Sequence, residues 1–268
     1  MSEIEPLLAS VFQQASEAIE YCVSRYTVGI AFGPLDVNVD MASGVALKWR
    51  GRRIVATAKH AFPSGSEVQH VTLIFPRDRP LNRGDMAEEI PPLDLGCISH
   101  VPKPAVIKCP TEGIDLVFLE ITENMCNAGD VDFYELQASA RTPSDGTSCV
   151  MTGFPNDLSG AISEQEAVVR LANRWSEICN LGDEERFLKE HDRNIHFLMR
   201  FHKADRGKRA EGFSGGGIWF ALKASSESRL WRPVPGLAGI QSSWFQKSQV
   251  TQSVRVEHLV RFLEESLN

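Results

Sequence analysis

The sequence of 268 residues contains no uninterrupted apolar run approaching the ~20 residues that cross a bilayer, which excludes a helical membrane span. Its start, MSEIEPLLASVFQQASEAIEYCVSRY, lacks a basic n-region, and acidic residues break up its apolar ones, so no secretory signal is read there and the protein is expected in the cytoplasm. No C-x-x-C pair occurs. The six cysteines (Cys22, Cys97, Cys109, Cys126, Cys149 and Cys179) are thinly spread; an even count permits disulfides, but in a reducing compartment they read as free thiols. Positive charge is in deficit: 28 Lys and Arg against 35 Asp and Glu give a formal charge of −7. That argues against sequence-independent nucleic-acid binding, which rests on phosphate neutralisation. A local basic run, Arg200, Lys203, Arg206, Lys208 and Arg209, reads as a solvated loop. No G-x-x-x-x-G-K-[ST] is present, which excludes a P-loop. Neither H-E-x-x-H nor a closed Cys/His cluster involves His70, His100, His191, His196, His202 or His258, which argues against a zinc site. There is no internal repeat and no low-complexity segment.

What is present is a chain of ordinary globular composition, 43% hydrophobic and 24% charged, long enough for a substantial core. Leu8, Val11, Phe12, Ala15, Ile19, Cys22 and Val23 recur at three- and four-residue spacing and predict an N-terminal helix with one packed face. Ser2 and Glu5 have the form of a capping box. From residue 26 the pattern changes to short β-rich runs at 26–32, 43–49, 53–58, 71–75, 93–101 and 116–121, then 148–152, 167–171, 195–201, 217–222 and 236–242. Gly/Pro punctuation separates them, as at Arg50-Gly51-Arg52. Residues 182–191 read as a short acidic helix or loop, and Val256, Leu259, Val260, Leu263 and Leu267 predict a closing helix. About thirteen strands between two helices predict a mostly β protein with a pair of six-stranded barrels.

Three segments carry candidate chemistry. In Glu211-Gly212-Phe213-Ser214-Gly215-Gly216-Gly217, glycines around a serine allow a tight turn that exposes a hydroxyl and gathers backbone N–H groups; a plain Gly-rich turn entering a strand is the simpler reading. The run Arg53-Ile54-Val55-Ala56-Thr57-Ala58-Lys59-His60 ends in a histidine that is either an exposed strand-end side chain or a general base. In Gly113-Ile114-Asp115-Leu116-Val117-Phe118-Leu119 the aspartate is either a turn residue or a buried carboxylate that orients an imidazole.

Taken together and in this order, T-A-x-H, D-L-x-x-L and G-x-S-G-G resemble the trypsin-like (chymotrypsin-fold) serine peptidases, with His60, Asp115 and Ser214 separated by 55 and 99 residues. Cys149-Val150-Met151-Thr152-Gly153-Phe154-Pro155 resembles the early strand of that family's second barrel, and Leu237-Ala238-Gly239-Ile240-Gln241-Ser242 resembles the strand walling its specificity pocket. The resemblance covers roughly residues 25–268. It implies two six-stranded antiparallel barrels of the chymotrypsin type: residues 1–25 as an extra helix, 26–140 as a first barrel holding His60 and Asp115, and 141–268 as a second barrel with the nucleophile and the closing helix. It further implies Ser214 as nucleophile, His60 as general base and then acid, Asp115 as the group that holds the histidine tautomer, and the N–H groups of Gly212 and Ser214 as an oxyanion hole.

Departures from the family pattern qualify the expectation. Ala61 and Ala210 stand where extracellular members usually carry cysteine, which fits a stand-alone, intracellular version of bacterial type. Phe213 stands where zymogen-activated members have the Asp that pairs with a newly cut N-terminus, so that activation route is unavailable. Lys208 falls six places before the nucleophile, at the base of the implied primary pocket, and Ser242, Ser243 and Trp244 fall on its opposite wall. A cation there disfavours Arg and Lys before the cut and favours Asp, Glu or a small residue. The expectation is a serine endopeptidase acting on protein or peptide substrates, without metal or organic cofactor, without membrane or nucleic-acid partners, and under restriction by its substrate choice or by a regulatory protein. The alternative is a catalytically silent fold of the same type used as a protein-binding module.

Overall fold

The computed structural model describes residues 4–32, 41–62, 70–76, 95–102, 105–122, 131–156, 160–163, 166–168, 171–201, 210–222 and 234–267. Two β units dominate it. The first contains β1 (Thr27–Phe32), β2 (Met41–Trp49), β3 (Arg52–Thr57), β4 (His70–Pro76), β5 (Leu95–Pro102), β6 (Val106–Lys108) and β7 (Val117–Ile121) in the antiparallel order β5-β4-β1-β2-β3-β7-β6; β8 (Tyr134–Glu135) adds two residues parallel to β2. The second is a closed antiparallel barrel, β12-β13-β16-β15-β14-β9, built from β9 (Ser148–Gly153), β12 (Ala172–Cys179), β13 (His196–Arg200), β14 (Gly217–Leu222), β15 (Val234–Phe245) and β16 (Val250–Arg255). Strands β10 (Gly160–Ser163) and β11 (Glu166–Val168) form a separate hairpin. Helices α1 (Ile4–Ser24) and α2 (Val256–Leu267) stand at the two ends of the chain.

The expectation of two closed six-stranded barrels is therefore corrected: among the described residues only the second unit closes, and the first is a sheet whose edges are β5 and β6. These edges are consecutive in the chain, and β5 ends on Pro102. Proline has no N–H to continue a ladder, and the three residues of β6 already pair with β7 through Val106–Leu119, Ile107–Phe118 and Lys108–Val117.

Local chemistry sets the registers. Trp49 lies opposite Arg52, so Arg50 and Gly51 form a two-residue hairpin loop, with φ of +46° and +84°. Positive φ at both central residues is the geometry that matches the right-handed strand twist. The pairing of β3 with β7 then places Thr57 opposite Val117. The residues just past β3 and just before β7 thus leave the sheet at the same end.

One cluster of buried residues joins both units and both helices. It includes Ile19 and Val23 from α1, Val45, Leu47 and Phe118 from the first sheet, Trp219, Leu237 and Ile240 from the barrel, and Val256, Leu259 and Leu263 from α2. Among the described side chains of α1, Ile19 and Val23 pack in this way; Phe12, expected on its buried face, is 70% exposed, and the candidate cap residue Ser2 and the side chains of Leu8 and Val11 lie outside the described residues. Glu20 fixes α1 to the barrel by accepting hydrogen bonds from Asn173 Nδ2 (3.3 Å) and from the Trp175 indole N–H. At the centre, Trp219 packs against Tyr134 and Tyr26, with ring centroids 5.0 and 5.8 Å away. Its indole N–H donates to Thr152 Oγ1 (3.3 Å), which lies 2.8 Å from Thr27 Oγ1.

Removing Trp219 leaves a cavity at the junction of every layer. Trp219→Ala is expected to destabilise the protein by about 3–5 kcal/mol, measured by denaturant unfolding; a loss under 1 kcal/mol would show that the units do not depend on this contact.

Candidate active site

His60 sits on a single 3-10 turn, Lys59–Ala61, immediately after β3. Asp115 follows the Gly113 turn (φ +78°) and precedes β7. The β3–β7 register brings the two together. Asp115 Oδ1 accepts the His60 backbone N–H at 2.9 Å, and Oδ2 lies 2.5 Å from His60 Nδ1. Two carboxylate oxygens on one residue fix both the backbone and the ring of the histidine. On the other side of the ring, Nε2 is 3.1 Å from Ser214 Oγ. All three side chains singled out in the sequence thus form one hydrogen-bonded line. The Nδ1–carboxylate bond assigns the ring proton to Nδ1 and leaves Nε2 as an acceptor toward the serine.

The hydrogen bond to Asp115 raises the His60 pKa above its ordinary value of 6.5; partial burial opposes the rise and the Asp115 charge adds to it. The half-exposed imidazole is thus a stronger base than a free one, held beside a hydroxyl.

Ser214 lies in a turn between the buried Ala210 and β14. Every carbonyl from residue 211 to 214 has a donor: Glu211 O takes Asn156 N–H (3.0 Å), Gly212 O takes Ser43 Oγ–H (2.6 Å), Phe213 O takes Gly216 N–H (2.7 Å) and Ser214 O takes Ser43 N–H (2.9 Å). The N–H of Phe213 goes to Ala210 O and that of Gly215 to Gln241 O. Among the described residues no acceptor meets the N–H of Gly212 or of Ser214. In a trans peptide C=O and N–H point in opposite directions. The donors on Glu211 O and Phe213 O therefore fix the planes that carry these two free N–H groups. Phe213 is 1% exposed and packs inside the barrel with Met151, Phe197 and Ile218, so the residue between the two donors is held by apolar burial.

Two glycines are required. Gly212 has φ +92°, and a Cβ there would stand 2.4 Å from Phe154 O; Gly215 has φ +87°, and a Cβ would stand 1.9 Å from Thr57 Oγ1. At these two positions the backbone is too close to its surroundings for any side chain.

The implied pocket is only partly placed. Lys208 lies outside the described residues. Ser242 is buried, its Oγ donating to Gln252 O (3.2 Å); Ser243 is partly buried and its carbonyl accepts Gln241 Nε2 (3.1 Å). Trp244 packs on Phe201 with ring centroids 5.7 Å apart. Asn156 and Ser43, which hold the loop, had not been singled out in the sequence. Asn156 acts through its backbone N–H, which any residue but proline supplies. Ser43 left one trace, a hydroxyl in the otherwise apolar run Met41-Ala42-Ser43-Gly44-Val45-Ala46.

Away from this site, the buried side chains of Glu185, His191 and Gln252 form a polar cluster that the exposed Arg193 covers from outside. Glu185 accepts from Leu181 N–H (2.9 Å) and from Arg193 Nε, and lies 3.1 Å from His191 Nε2. Burial alone would raise its pKa, but Arg193, the Leu181 N–H and His191 outweigh it and hold the carboxyl below its ordinary range. His196 beside it is pushed down to about 4, first by burial and then by His191. Among the described residues no group of three or more His, Cys, Asp or Glu is placed to hold a metal ion, and no helix is long and apolar enough to cross a membrane.

No protein-family model and no curated protein sequence matches this chain. Its fold does match solved structures. A serine endoprotease from Yersinia pestis aligns with a TM-score of 0.55 at 14% identity, covering 93% of this chain and 65% of that one. GrC (granzyme C) aligns with a TM-score of 0.56 at 18% identity, covering 91% and 94%. The chain spans about two thirds of the length of the Yersinia chain. At these identities the likeness is one of fold: the protein has the chymotrypsin-like fold of the trypsin-like serine proteases.

The Asp115–His60 bond has a direct spectroscopic consequence. Proton NMR titration of the His60 ring is expected to give a midpoint above 6.5, and Asp115→Asn should bring it down; an unmoved midpoint would show that the carboxylate does not govern this imidazole.

Proposed function

We propose that the protein is a serine endopeptidase that cleaves protein or peptide substrates through an acyl-enzyme, with Ser214, His60 and Asp115 as its triad. The observation that carries this reading is the line Asp115–His60–Ser214, with spacings of 2.5 and 3.1 Å, beside two backbone N–H groups that have no acceptor among the described residues. A histidine, a carboxylate and a serine meet at many protein surfaces. A structural role does not require two fixed N–H donors left free on either side of the residue before the serine.

The chemistry follows from the geometry. His60 Nε2 takes the Ser214 hydroxyl proton as Oγ attacks the scissile carbonyl carbon. The carbonyl oxygen becomes an oxyanion, stabilised by the N–H groups of Gly212 and Ser214. The imidazolium, paired with Asp115, then protonates the leaving amine and the C–N bond breaks. Water, deprotonated by His60, attacks the resulting ester, and Ser214 regains its proton. The mechanism assigns no step to a metal or an organic cofactor. In this reading the protein works in a reducing compartment, with Cys22, Cys109, Cys149 and Cys179 unpaired as they are here. The family resemblance assigns Lys208, Ser242, Ser243 and Trp244 to the primary pocket, and a cation there selects against Arg and Lys before the cut; binding by a regulatory protein is a further means of restricting its action.

A fluorophosphonate probe is expected to label Ser214 in the native protein and to fail on Ser214→Ala. With peptide substrates, kcat/KM should be low while His60 is protonated and rise as pH passes upward through its raised pKa. Asp115→Asn should lower kcat by about 10⁴-fold. A P1-diverse peptide library is expected to show little cleavage after Arg or Lys. Wild-type proteolysis by Ser214→Ala would remove the assignment, and a silent wild-type protein would favour the binding-module alternative.

A further inference from the structure

Ser43 lies on β2 of the first sheet, is 0% exposed, and touches the nucleophile loop of the other unit at two points. Its backbone N–H donates to the carbonyl of Ser214 (2.9 Å), and its Oγ is 2.6 Å from the carbonyl of Gly212. Phe154 N–H donates to the same Oγ at 2.8 Å. A hydroxyl has one proton. With Phe154 occupying the acceptor side, that proton is committed to Gly212 O, and the result is a directed chain, Phe154 N–H to Ser43 Oγ–H to Gly212 O. Ser43 is itself fixed, since its carbonyl accepts the hydroxyl of Thr57 at 2.6 Å, three residues before His60. The site is filled on every side: a Cβ on Gly153 would stand 2.7 Å from Ser43 Oγ, and one on Gly215 would stand 2.1 Å from Ser43 O.

We propose that Ser43 is a positioning residue for the oxyanion hole, its hydroxyl holding the Gly212–Phe213 peptide that lies between the two N–H donors. The inference rests on the peptidase reading above. Rotation of that peptide changes ψ of Gly212 and φ of Phe213, which swings the Gly212 N–H and the Ser214 N–H relative to one another. Asn156 N–H and Gly216 N–H fix the outer peptides at Glu211 O and Phe213 O; the inner one is held at its N–H by Ala210 O (3.2 Å), and its carbonyl is held by the shorter bond from Ser43 Oγ (2.6 Å). The hydroxyl touches neither substrate nor triad. Its effect falls on the step in which charge develops on the carbonyl oxygen, not on substrate affinity or on the His60 ionisation.

The test compares wild type with Ser43→Ala and with Ser43→Cys, which keeps the volume but is a poor donor. Thr27→Val, away from the loop, serves as a control for stability. Expected for both Ser43 variants is a fall in kcat of roughly tenfold, short of the ~10²–10³ that loss of an oxyanion donor itself costs. KM should stay near the wild-type value, and the pH inflection of kcat/KM should not move. Affinity for a peptide boronic acid, which forms a tetrahedral adduct on the serine, should fall by the same factor as kcat. Thr27→Val should lower the melting temperature and leave kcat intact. If Ser43→Ala does not fold, Ser43→Cys carries the comparison. Folded Ser43 variants with wild-type kcat and boronate affinity, or with a loss confined to KM, would overturn the role while leaving the peptidase reading in place. A folded wild-type protein that neither labels with fluorophosphonate nor cleaves any peptide would overturn both.

Discussion

The turn that carries Ser214 contains no regular structure of its own, and its shape depends on the satisfaction of four successive carbonyls. Buried backbone groups left without partners are costly, so the conformation in which residues 211–214 all find donors is strongly preferred over its alternatives. Two of those donors come from one residue of the opposite sheet, one from Asn156 in the segment after β9 and one from the turn itself. The remainder of the arrangement follows from this constraint. The glycines at 212 and 215 are required because the donors stand so close, and Phe213 is turned into the barrel because its flanking peptides are fixed.

Placement of the histidine obeys a different rule. It is set by strand register, since β3 and β7 are neighbours and their ends coincide, and then by the two oxygens of Asp115, which bind the turn and the ring together. The site is thus assembled from two independently determined pieces. The bond from Ser43 N–H to Ser214 O and the Thr57 hydroxyl bond to Ser43 O tie them together, and the apolar cluster around Trp219 packs the two units against each other.

Much of this was legible in the sequence because the relevant signals are local. His60, Asp115 and Ser214 each stand at the edge of an apolar run, His60 and Ser214 beside small residues and Asp115 just past a glycine turn, and the Arg50-Gly51 turn announces the β2–β3 hairpin. Where reading failed, the physical reasons differ. Strand β16, Val-Thr-Gln-Ser-Val-Arg, buries Thr251, Gln252 and Ser253, so it shows no hydrophobic alternation. Strand β12 carries Asn, Arg and Glu among its apolar residues and reads as irregular. Strands β6 and β8 are two or three residues long, below the length at which period can be recognised. Closure of a sheet is a property of non-local pairing and of where proline falls at an edge, which no local pattern reports. The donors to Glu211 O and Ser214 O are main-chain groups, which carry no residue signature at all.

The burial of Phe213 bears on what kind of event is able to disorder the nucleophile loop. Where such a loop is held by an ion pair to a terminal amine, its order is a titration: it fails as the α-amino group, with a pKa of about 8, loses its proton. An aromatic ring inside a barrel has no proton to lose. The packing of Phe213 therefore couples the order of the loop to the packing of the barrel and not to the ionisation of a terminal amine.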